Sequence, residues 1–247
     1  MNNFIINNNK GRIEFLDNRF YLTEDGGYVP SVTTILEAFP KDAAYFKWIK
    51  EVGSDADAIR DEAGRRGSVV HQLTEEYDAG NEVSFIGQDA PKYKMLEWAM
   101  FERYVDFTET HKPEIVMMEQ NFASPELGYA GTIDRIIKLN DKKILMDIKT
   151  SNNLHQSYWL QLAAYYKLLF ACTTHGIDEV GILWLNAKTR TTGKGGAIQG
   201  IGWQLVTKSV EDIMDDLAAF YHTKSLWEAL NKDIKPKQTS YQLKHKR

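Results

Sequence analysis

The 247-residue chain carries 30 Lys and Arg against 34 Asp and Glu. This net charge of −4 argues against a protein that coats nucleic acid by overall charge alone. The single cysteine, Cys172, excludes an internal disulfide and a four-cysteine zinc or iron–sulfur site, so we expect a reducing, cytoplasmic setting. No apolar run approaches the ~18 residues of a transmembrane helix, and we therefore expect no membrane association.

The N-terminal part of the chain is predicted to be mainly helical after one hairpin. Alternating residues in GRIEFLDNRFYLT predict a short hairpin whose turn is Asp17-Asn18. Pro30 and Ser31 in VPSVTTIL predict a helix start with Ser31 as the N-cap. Three further helices are predicted, over residues 43–52, 55–80 and 91–110.

After residue 111 the pattern changes to short apolar strands. Strands are predicted over residues 114–122, 128–139, 142–150, 180–187 and 202–208. A helix over 157–176 is predicted to stop at Gly176, and a closing helix over 209–230 is predicted to begin behind Ser209 as its cap. The glycine-rich segment 189–200 is predicted to be a loop.

These elements predict one α/β domain built on a central mixed sheet flanked by helices. We expect residues 1–110 to form a mainly helical part that folds over the sheet, and residues 111–230 to form the sheet core and its closing helix. Residues 231–247 form a basic tail. Such a tail is either a solvated terminus or a contact for nucleic acid.

The most informative stretch is ILMDIKTS, in which an apolar strand ends in charged residues. Side chains alternate along a strand, so Asp147 and Lys149 share one face. Asp134 lies in the preceding strand and comes close to Asp147 across a turn near residues 139–142. Two adjacent carboxylates repel unless a cation lies between them or one is protonated, and Mg²⁺ or Mn²⁺ would suit oxygen ligands. A structural cluster of ion pairs is the alternative explanation.

Four short motifs, in this order, resemble those of a known nuclease family. GTID with Asp134 and MDIK with Lys149 resemble the two central motifs of PD-(D/E)XK nucleases of the RecB-like exonuclease branch. GRRGSVVH, which ends at His71, resembles its upstream histidine helix, and WLQLAAY resembles its downstream Gln-x-x-x-Tyr helix. VPSVTTIL resembles a segment of phage exonucleases and of mitochondrial genome-maintenance exonucleases. The resemblance covers roughly residues 28 to 190 and implies a restriction-endonuclease-like core.

The resemblance implies a set of metal ligands and catalytic residues. The expected ligands of Mg²⁺, or of Mn²⁺, are His71, Asp134, Asp147 and the carbonyl of Ile148. Lys149 is expected to serve the attacking water, and Glu119 is a further candidate carboxylate, with a simple edge-strand charge as its alternative. Glu75 follows His71 by one turn, and we expect it on a solvated helix face. Some relatives hold an iron–sulfur cluster with four cysteines, which this chain lacks.

Other residues are candidates for contact with the substrate. Gln161 and Tyr165 share a helix face that lines the active site in the related nucleases. The hydroxyls of Thr150 and Ser151 suit phosphate oxygens, or they cap the next turn. Arg65 and Arg66 are candidates for contacts with backbone phosphates. The alternative is that they are exposed residues that only contribute to solubility.

These observations predict a Mg²⁺-dependent DNA exonuclease that hydrolyses phosphodiester bonds. Its partner would be DNA that is single-stranded or has a free end, in phage-type replication, recombination or degradation. A structure-specific endonuclease would use the same site. A nucleic-acid-binding protein that keeps the fold without turnover is the alternative from another class, although such a protein has no need of the lysine.

Overall fold

A computed structural model of the chain describes residues 11–16, 18–87, 90–174, 176–186, 202–234 and 236. The predicted loop over 189–200 lies outside the described residues. So do Asp17 of the predicted hairpin turn and residues 237–247 of the predicted basic tail.

The described elements are eight strands and six α-helices, with a short 3-10 turn before the third helix. In chain order they are β1 (Arg12–Phe15), β2 (Asn18–Leu22), β3 (Tyr28–Pro30), α1 (Val32–Leu36), α2 (Ala43–Val52), α3 (Ala56–Asp78), α4 (Met95–His111), β4 (Glu114–Ser124), β5 (Tyr129–Leu139), β6 (Lys142–Lys149), α5 (Gln156–Cys172), β7 (Glu179–Trp184), β8 (Gln204–Ser209) and α6 (Met214–Leu230).

The N-terminal strands form a small antiparallel sheet in the order β1-β2-β3. The hairpin of β1 and β2 confirms the sequence prediction, but Asn18 does not belong to its turn as predicted, because it begins β2 and pairs with Phe15. The third strand was not predicted. Ser31 is the N-cap of α1, as predicted, because its side chain accepts a hydrogen bond from the backbone N–H of Thr34 at 3.0 Å. One face of the hairpin carries apolar residues such as Ile13 and Phe20, which pack into the main core.

The second sheet has five strands in the order β4-β5-β6-β7-β8. Only β6 and β7 run parallel among the described pairs, and α5 makes the connection between them. The turn between β5 and β6 consists of Asn140 and Asp141, with φ angles of 49° and 62°. Two consecutive left-handed residues match the twist of a hairpin. Apart from glycine, Asn and Asp are the residues that adopt this conformation most readily.

Helices cover both faces of this sheet. One face packs against α5, α6 and α1 in the larger core, which includes Leu145, Leu160 and Phe220. The other face packs against α3 and α4, through residues such as Val70 and Tyr104. This three-layer arrangement confirms the predicted α/β class with a central mixed sheet, and it is consistent with a restriction-endonuclease-like core. None of the helices in the described part of the chain is long and apolar enough to span a membrane.

Three predicted helix boundaries are wrong by four residues or more. Helix α4 begins at Met95 and not at residue 91. The helix α5 ends at Cys172, four residues before Gly176, because the N–H and hydroxyl of Thr173 both donate to the carbonyl of Leu169. Ser209 does not cap α6. Its hydroxyl accepts from the N–H of Asp212 in a separate turn, and the helix begins only at Met214.

A fully buried cation joins the helical layer to the sheet. Arg135 of β5 has no exposed surface, and its Nε donates to the carboxylate of Asp78 at 2.7 Å. Its other nitrogens donate to the hydroxyl of Thr74 at 3.2 Å and to the carbonyl of Asp134 at 2.8 Å. Tyr104 of α4 donates to the same Asp78 carboxylate at 2.5 Å. The guanidinium therefore fixes the end of α3, and with it α4, against β5.

We predict that Asp78→Ala lowers the free energy of unfolding by about 3–5 kcal/mol, because it leaves Arg135 buried without its counter-ion. Urea unfolding measures the loss. Glu51→Ala is the control, since it breaks an exposed ion pair with Lys47 and should cost no more than about 0.5 kcal/mol. The apolar double variant Asp78→Leu/Arg135→Leu should lose less than Asp78→Ala. An Asp78→Ala protein as stable as the Glu51→Ala protein would contradict this account.

Candidate active site

The strands β5 and β6 separate from each other at the ends that lie farthest from their hairpin turn. Their backbone pairing runs from the turn to Arg135 and Met146 and stops there. Beyond this point, the N–H of Ile148 donates to the carboxylate of Asp134 at 3.0 Å. A side chain thus takes the hydrogen bond of a ladder partner, and the strand ends open into a cleft.

The neighbouring strand β4 is distorted at the same level. Glu119 lies opposite Asp134 in the register of β4 and β5, and its φ is 44°, which is uncommon for a residue other than glycine. In β5, Ile133 and Ile136 both pack in the core under α5, although they are an odd number of residues apart. The regular alternation is therefore broken at Asp134-Arg135, and this break coincides with the site.

Three side chains meet at this distortion in a group that could hold a cation. Ligand atoms of His71, Glu119 and Asp134 all lie within 4.8 Å of one another. His71 of α3 places Nδ1 3.5 Å from the Asp134 carboxylate and Nε2 3.1 Å from the carbonyl of Ile148. One imidazole and two carboxylates suit a divalent metal ion, and oxygen donors suit Mg²⁺ or Mn²⁺ in particular. The donor set therefore fits the metal that the motifs imply.

A third acidic residue, Glu75, belongs to the same cluster. We expected it on a solvated helix face, but it lines the cleft beside His71 and shares a hydrogen bond with Glu119. Burial, then the charges of Asp134 and Glu75, raise the pKa of Glu119 to about 8. Burial also raises the pKa of Glu75. Carboxylates crowded in this way hold a proton between them or require a cation, which is what a metal site supplies.

Asp147 and Lys149 share one face of β6, as predicted, and form a buried ion pair. Lys149 Nζ lies 2.5 Å from the Asp147 carboxylate and donates to the amide oxygen of Gln161 at 3.0 Å. The amide nitrogen of Gln161 donates to Asp147 at 3.2 Å and to the hydroxyl of Tyr165 at 3.1 Å. The lysine also lies 4.7 Å from the ring centre of Tyr158. Helix α5 therefore fixes both charged groups.

Asp147, which we predicted as a metal ligand, is engaged in this pair with Lys149. It is not part of the cluster of His71, Glu119 and Asp134. Burial raises the pKa of Asp147 to about 6, against the opposing effect of Lys149. Burial disfavours the ammonium of Lys149, but the charges of Asp147 and Asp134 outweigh it and raise its pKa. The lysine is thus charged. The charge of Asp134 acts on it, so it lies beside the cluster of His71, Glu119 and Asp134.

The predicted substrate residues differ in where they lie. Thr150, Ser151, Gln161 and Tyr165 all line the cleft, whose volume is about 730 Å³. The two neighbouring arginines have separate fates. Arg66 lines the cleft. Arg65 does not line it and instead pairs with Glu62 at 2.8 Å and with the buried Glu97. The structure therefore does not bring Arg65 to the site.

Two basic residues of the cleft were missed in the sequence. Arg12 and Arg19 of the N-terminal hairpin line it, together with Tyr21. The available signal was the hairpin pattern itself: Arg12 pairs with Tyr21 in the ladder, so residues 12, 19 and 21 share the face opposite the apolar one. That face turns towards the site because the apolar face packs into the core.

No protein-family model and no curated protein sequence match the chain. Solved structures to which the chain is similar include two of one exonuclease. The alkaline exonuclease LHK-Exo from Laribacter hongkongensis has a TM-score of 0.35 and 12% identity, over 82% of this chain and 91% of that chain. LHK-Exo in complex with dAMP has a TM-score of 0.33 and 13% identity, over 84% of this chain and 92% of that chain. At these TM-scores the likeness is loose.

We predict that the EDTA-treated protein binds Mn²⁺ and that His71→Ala and Glu119→Gln each weaken this binding by about tenfold or more. Even residues that only hydrogen-bond to metal ligands contribute about 10–100-fold to metal affinity, so loss of a ligand should cost at least as much. Isothermal titration calorimetry measures the affinity. Glu76→Gln is the matched control, since Glu76 follows Glu75 on α3 but is exposed outside the cleft. Unchanged Mn²⁺ affinity in both ligand variants would show that the cluster is not the metal site.

We also predict that Gly131→Ala disturbs the site without touching a charged residue. A Cβ at Gly131 would overlap the ring of Tyr165, whose hydroxyl supports Gln161. The ring must move, so the hydrogen-bonded chain to Lys149 should loosen and any activity should fall, together with about 1–3 kcal/mol of stability. Gly176→Ala is the control, because no atom of the described residues other than its chain neighbours lies within 4 Å of a Cβ built there. Equal thermal melting of the two variants would refute the overlap.

Proposed function

We propose that this chain is a divalent-metal-dependent deoxyribonuclease that hydrolyses phosphodiester bonds. The observation that carries the proposal is the meeting, in one cleft, of the cluster of His71, Glu119 and Asp134 with the buried pair of Asp147 and Lys149. A buried ion pair contributes little net stability by itself, so its position beside three further ionisable groups favours a chemical role over a structural one.

His71, Glu119 and Asp134 would hold the metal, with Asp147 and the carbonyl of Ile148 at its border. A divalent cation there would supply Lewis-acid polarisation of the phosphate and a lowered pKa for the attacking water. The protein itself contributes position: Asp134 is fixed by the N–H of Ile148, and His71 is fixed by the carbonyl of the same residue. The ligands are therefore oriented by the ends of the separated strands.

Lys149 would orient the nucleophilic water and stabilise negative charge that develops on the phosphate. A charged amine in a water-poor site is strongest where charge grows in the transition state. Asp147 and Gln161 hold the amine by two contacts and leave its remaining hydrogen for the substrate. Asp147 would thus be a positioning residue for Lys149 as well as a neighbour of the metal.

The substrate we propose is DNA, attacked from an end, in phage-type replication, recombination or degradation in the cytoplasm. Support for a polyanion comes from Arg66, Thr150 and Ser151 on the cleft wall, which suit phosphate oxygens. Support for an end comes from the resemblance of the motifs to RecB-like exonucleases. An endonuclease that uses the same residues is the second candidate, since the resemblance alone supports attack from an end.

The test is digestion of end-labelled linear and closed circular single-stranded DNA with Mg²⁺, Mn²⁺ or EDTA. We predict metal-dependent loss of the linear substrate alone, and a loss of about 10²-fold or more in rate for Lys149→Gln, because the removed group stabilises transition-state charge. Glutamine keeps a polar partner for Asp147, so the fold should survive, and a thermal melt checks this.

Lys167→Gln is the control, since Lys167 lies on α5 and points away from the cleft over the ring of Phe170. It should digest DNA at the wild-type rate. Cutting of the circular strand would favour the endonuclease. Wild-type rates in a folded Lys149→Gln protein would end the proposed mechanism, and no cleavage with either metal would end the proposed function.

A further inference from the structure

The cleft contains three arginines that lack an anionic partner. Arg12 and Arg19 come from the N-terminal hairpin, and Arg66 comes from α3. Among the described residues, no ion pair joins any of the three to a carboxylate, whereas the adjacent Arg65 pairs with two. We infer that Arg12, Arg19 and Arg66 form a subsite for a phosphate group of the substrate. This inference rests on the proposed function for the identity of the substrate.

Burial strengthens the case for two of these arginines. The Nε atoms of Arg19 and Arg66 are buried and have no hydrogen-bond partner in the described part of the chain. A buried donor without an acceptor costs about 1–3 kcal/mol, and more when it belongs to a charged group. A guanidinium presents its donors in a flat fork that matches the oxygens of a phosphate. A bound phosphate would therefore satisfy donors that the protein leaves open.

The hairpin is held in place for this purpose by contacts that do not involve the arginine side chains. Tyr21, opposite Arg12 in the ladder, makes a 2.8 Å hydrogen bond to Thr132 of β5. The backbone N–H of Arg19 donates to the hydroxyl of Thr34 at 2.9 Å, and its carbonyl accepts from the N–H of Ser31 at 2.8 Å. The arginine backbones are thus fixed, and binding need not order a free loop.

The charges of the cleft are divided between its walls. The carboxylates of Glu75, Glu119 and Asp134 come from α3 and the sheet, whereas two of the three unpaired arginines come from the hairpin. Metal ligands repel a phosphate until the cation is bound, but the arginines attract it in either state. The subsite would hold one phosphate while its neighbour along the strand lies at the metal cluster. It would therefore fix the position of the cut relative to the bound phosphate.

The same chemistry suits two sources: a terminal phosphate monoester, or an internal phosphodiester of the strand. A monoester carries more charge, so a terminal phosphate would bind more tightly. Oligonucleotides of one sequence with a 5′-phosphate, a 3′-phosphate or neither distinguish the sources. All three would be titrated in EDTA, where no cleavage occurs, and inorganic pyrophosphate would be titrated alone as a probe that is not DNA.

We expect Arg19→Gln and Arg66→Gln each to weaken binding of pyrophosphate and of the oligonucleotides by about tenfold, as the loss of a charged hydrogen-bond donor implies. The slope of log affinity against log salt concentration for the single strand should fall by about 0.7 for each arginine removed. A variant that only loosens the fold would lose affinity without this change of about 0.7 in the salt slope. Arg60→Gln is the matched control, because Arg60 lies on the same helix outside the cleft, in an exposed pair with Asp57. It should bind within about twofold of the wild-type protein.

A preference for one phosphorylated end that disappears in the two variants would assign the subsite to a terminal phosphate. Equal binding of the three oligonucleotides, weakened equally in the variants, would assign it to an internal phosphodiester. Wild-type affinity and an unchanged salt slope in both variants would overturn the inference. These titrations contain no metal, so they test the subsite independently of cleavage. A protein that binds pyrophosphate through Arg19 but does not cleave DNA would retain the subsite and contradict the proposed function.

Discussion

The buried guanidinium of Arg135 is the contact on which the arrangement of the site depends. It ties α3 to β5 through Asp78 and Thr74, and it binds the carbonyl of Asp134, the residue before it. His71 lies less than one turn before Thr74 on the same helix. One hydrogen-bonded cation thus sets both the height of the helix above the strand and the distance between the imidazole and the carboxylate. It also lies 3.9 Å from the Glu119 carboxylate, so it partly offsets the charge of the acidic cluster.

The site is costly for the fold in two respects. The ladder between β5 and β6 gives up its last backbone pairs, and several carboxylates are crowded at the opening. Each group is compensated in part: Asp134 accepts the N–H of Ile148, and Asp147 is paired with Lys149. The mutual repulsion of Glu75, Glu119 and Asp134 is compensated only in part, by Arg135 and by the raised pKa of Glu119. A protein that needed only stability would relieve this repulsion with one apolar replacement, so the crowding points to a bound cation.

Much of the sheet and the central motifs could be predicted, because they depend on local pattern. The register set by the Asn140-Asp141 turn brings Asp134 level with Asp147, and the alternation of β6 places Lys149 on the same face as Asp147. Helix ends were harder to predict, since Thr173 ends α5 before Gly176 is reached, and Ser209 uses its own hydroxyl in a separate turn before α6. Contacts between elements that lie outside the motifs could not be predicted. Glu75 joins the cluster from α3, which Arg135 ties to β5. The different positions of Arg65 and Arg66 depend on Glu97 of α4.

The division of charge within the cleft would explain how an acidic chain can bind the polyanionic substrate that we propose. The net charge of −4 is a property of the whole surface, whereas a strand in the cleft would meet Arg12, Arg19, Arg66 and Lys149 at close range. In a concave site with low-dielectric walls, these nearby cations act almost unscreened, while the distant negative charges are screened within about 10 Å of water at 0.1 M salt. The carboxylates in the same cleft would otherwise cancel the attraction. Binding of DNA and binding of metal should therefore be coupled, because the cation that neutralises the carboxylates also removes the repulsion that opposes the phosphate.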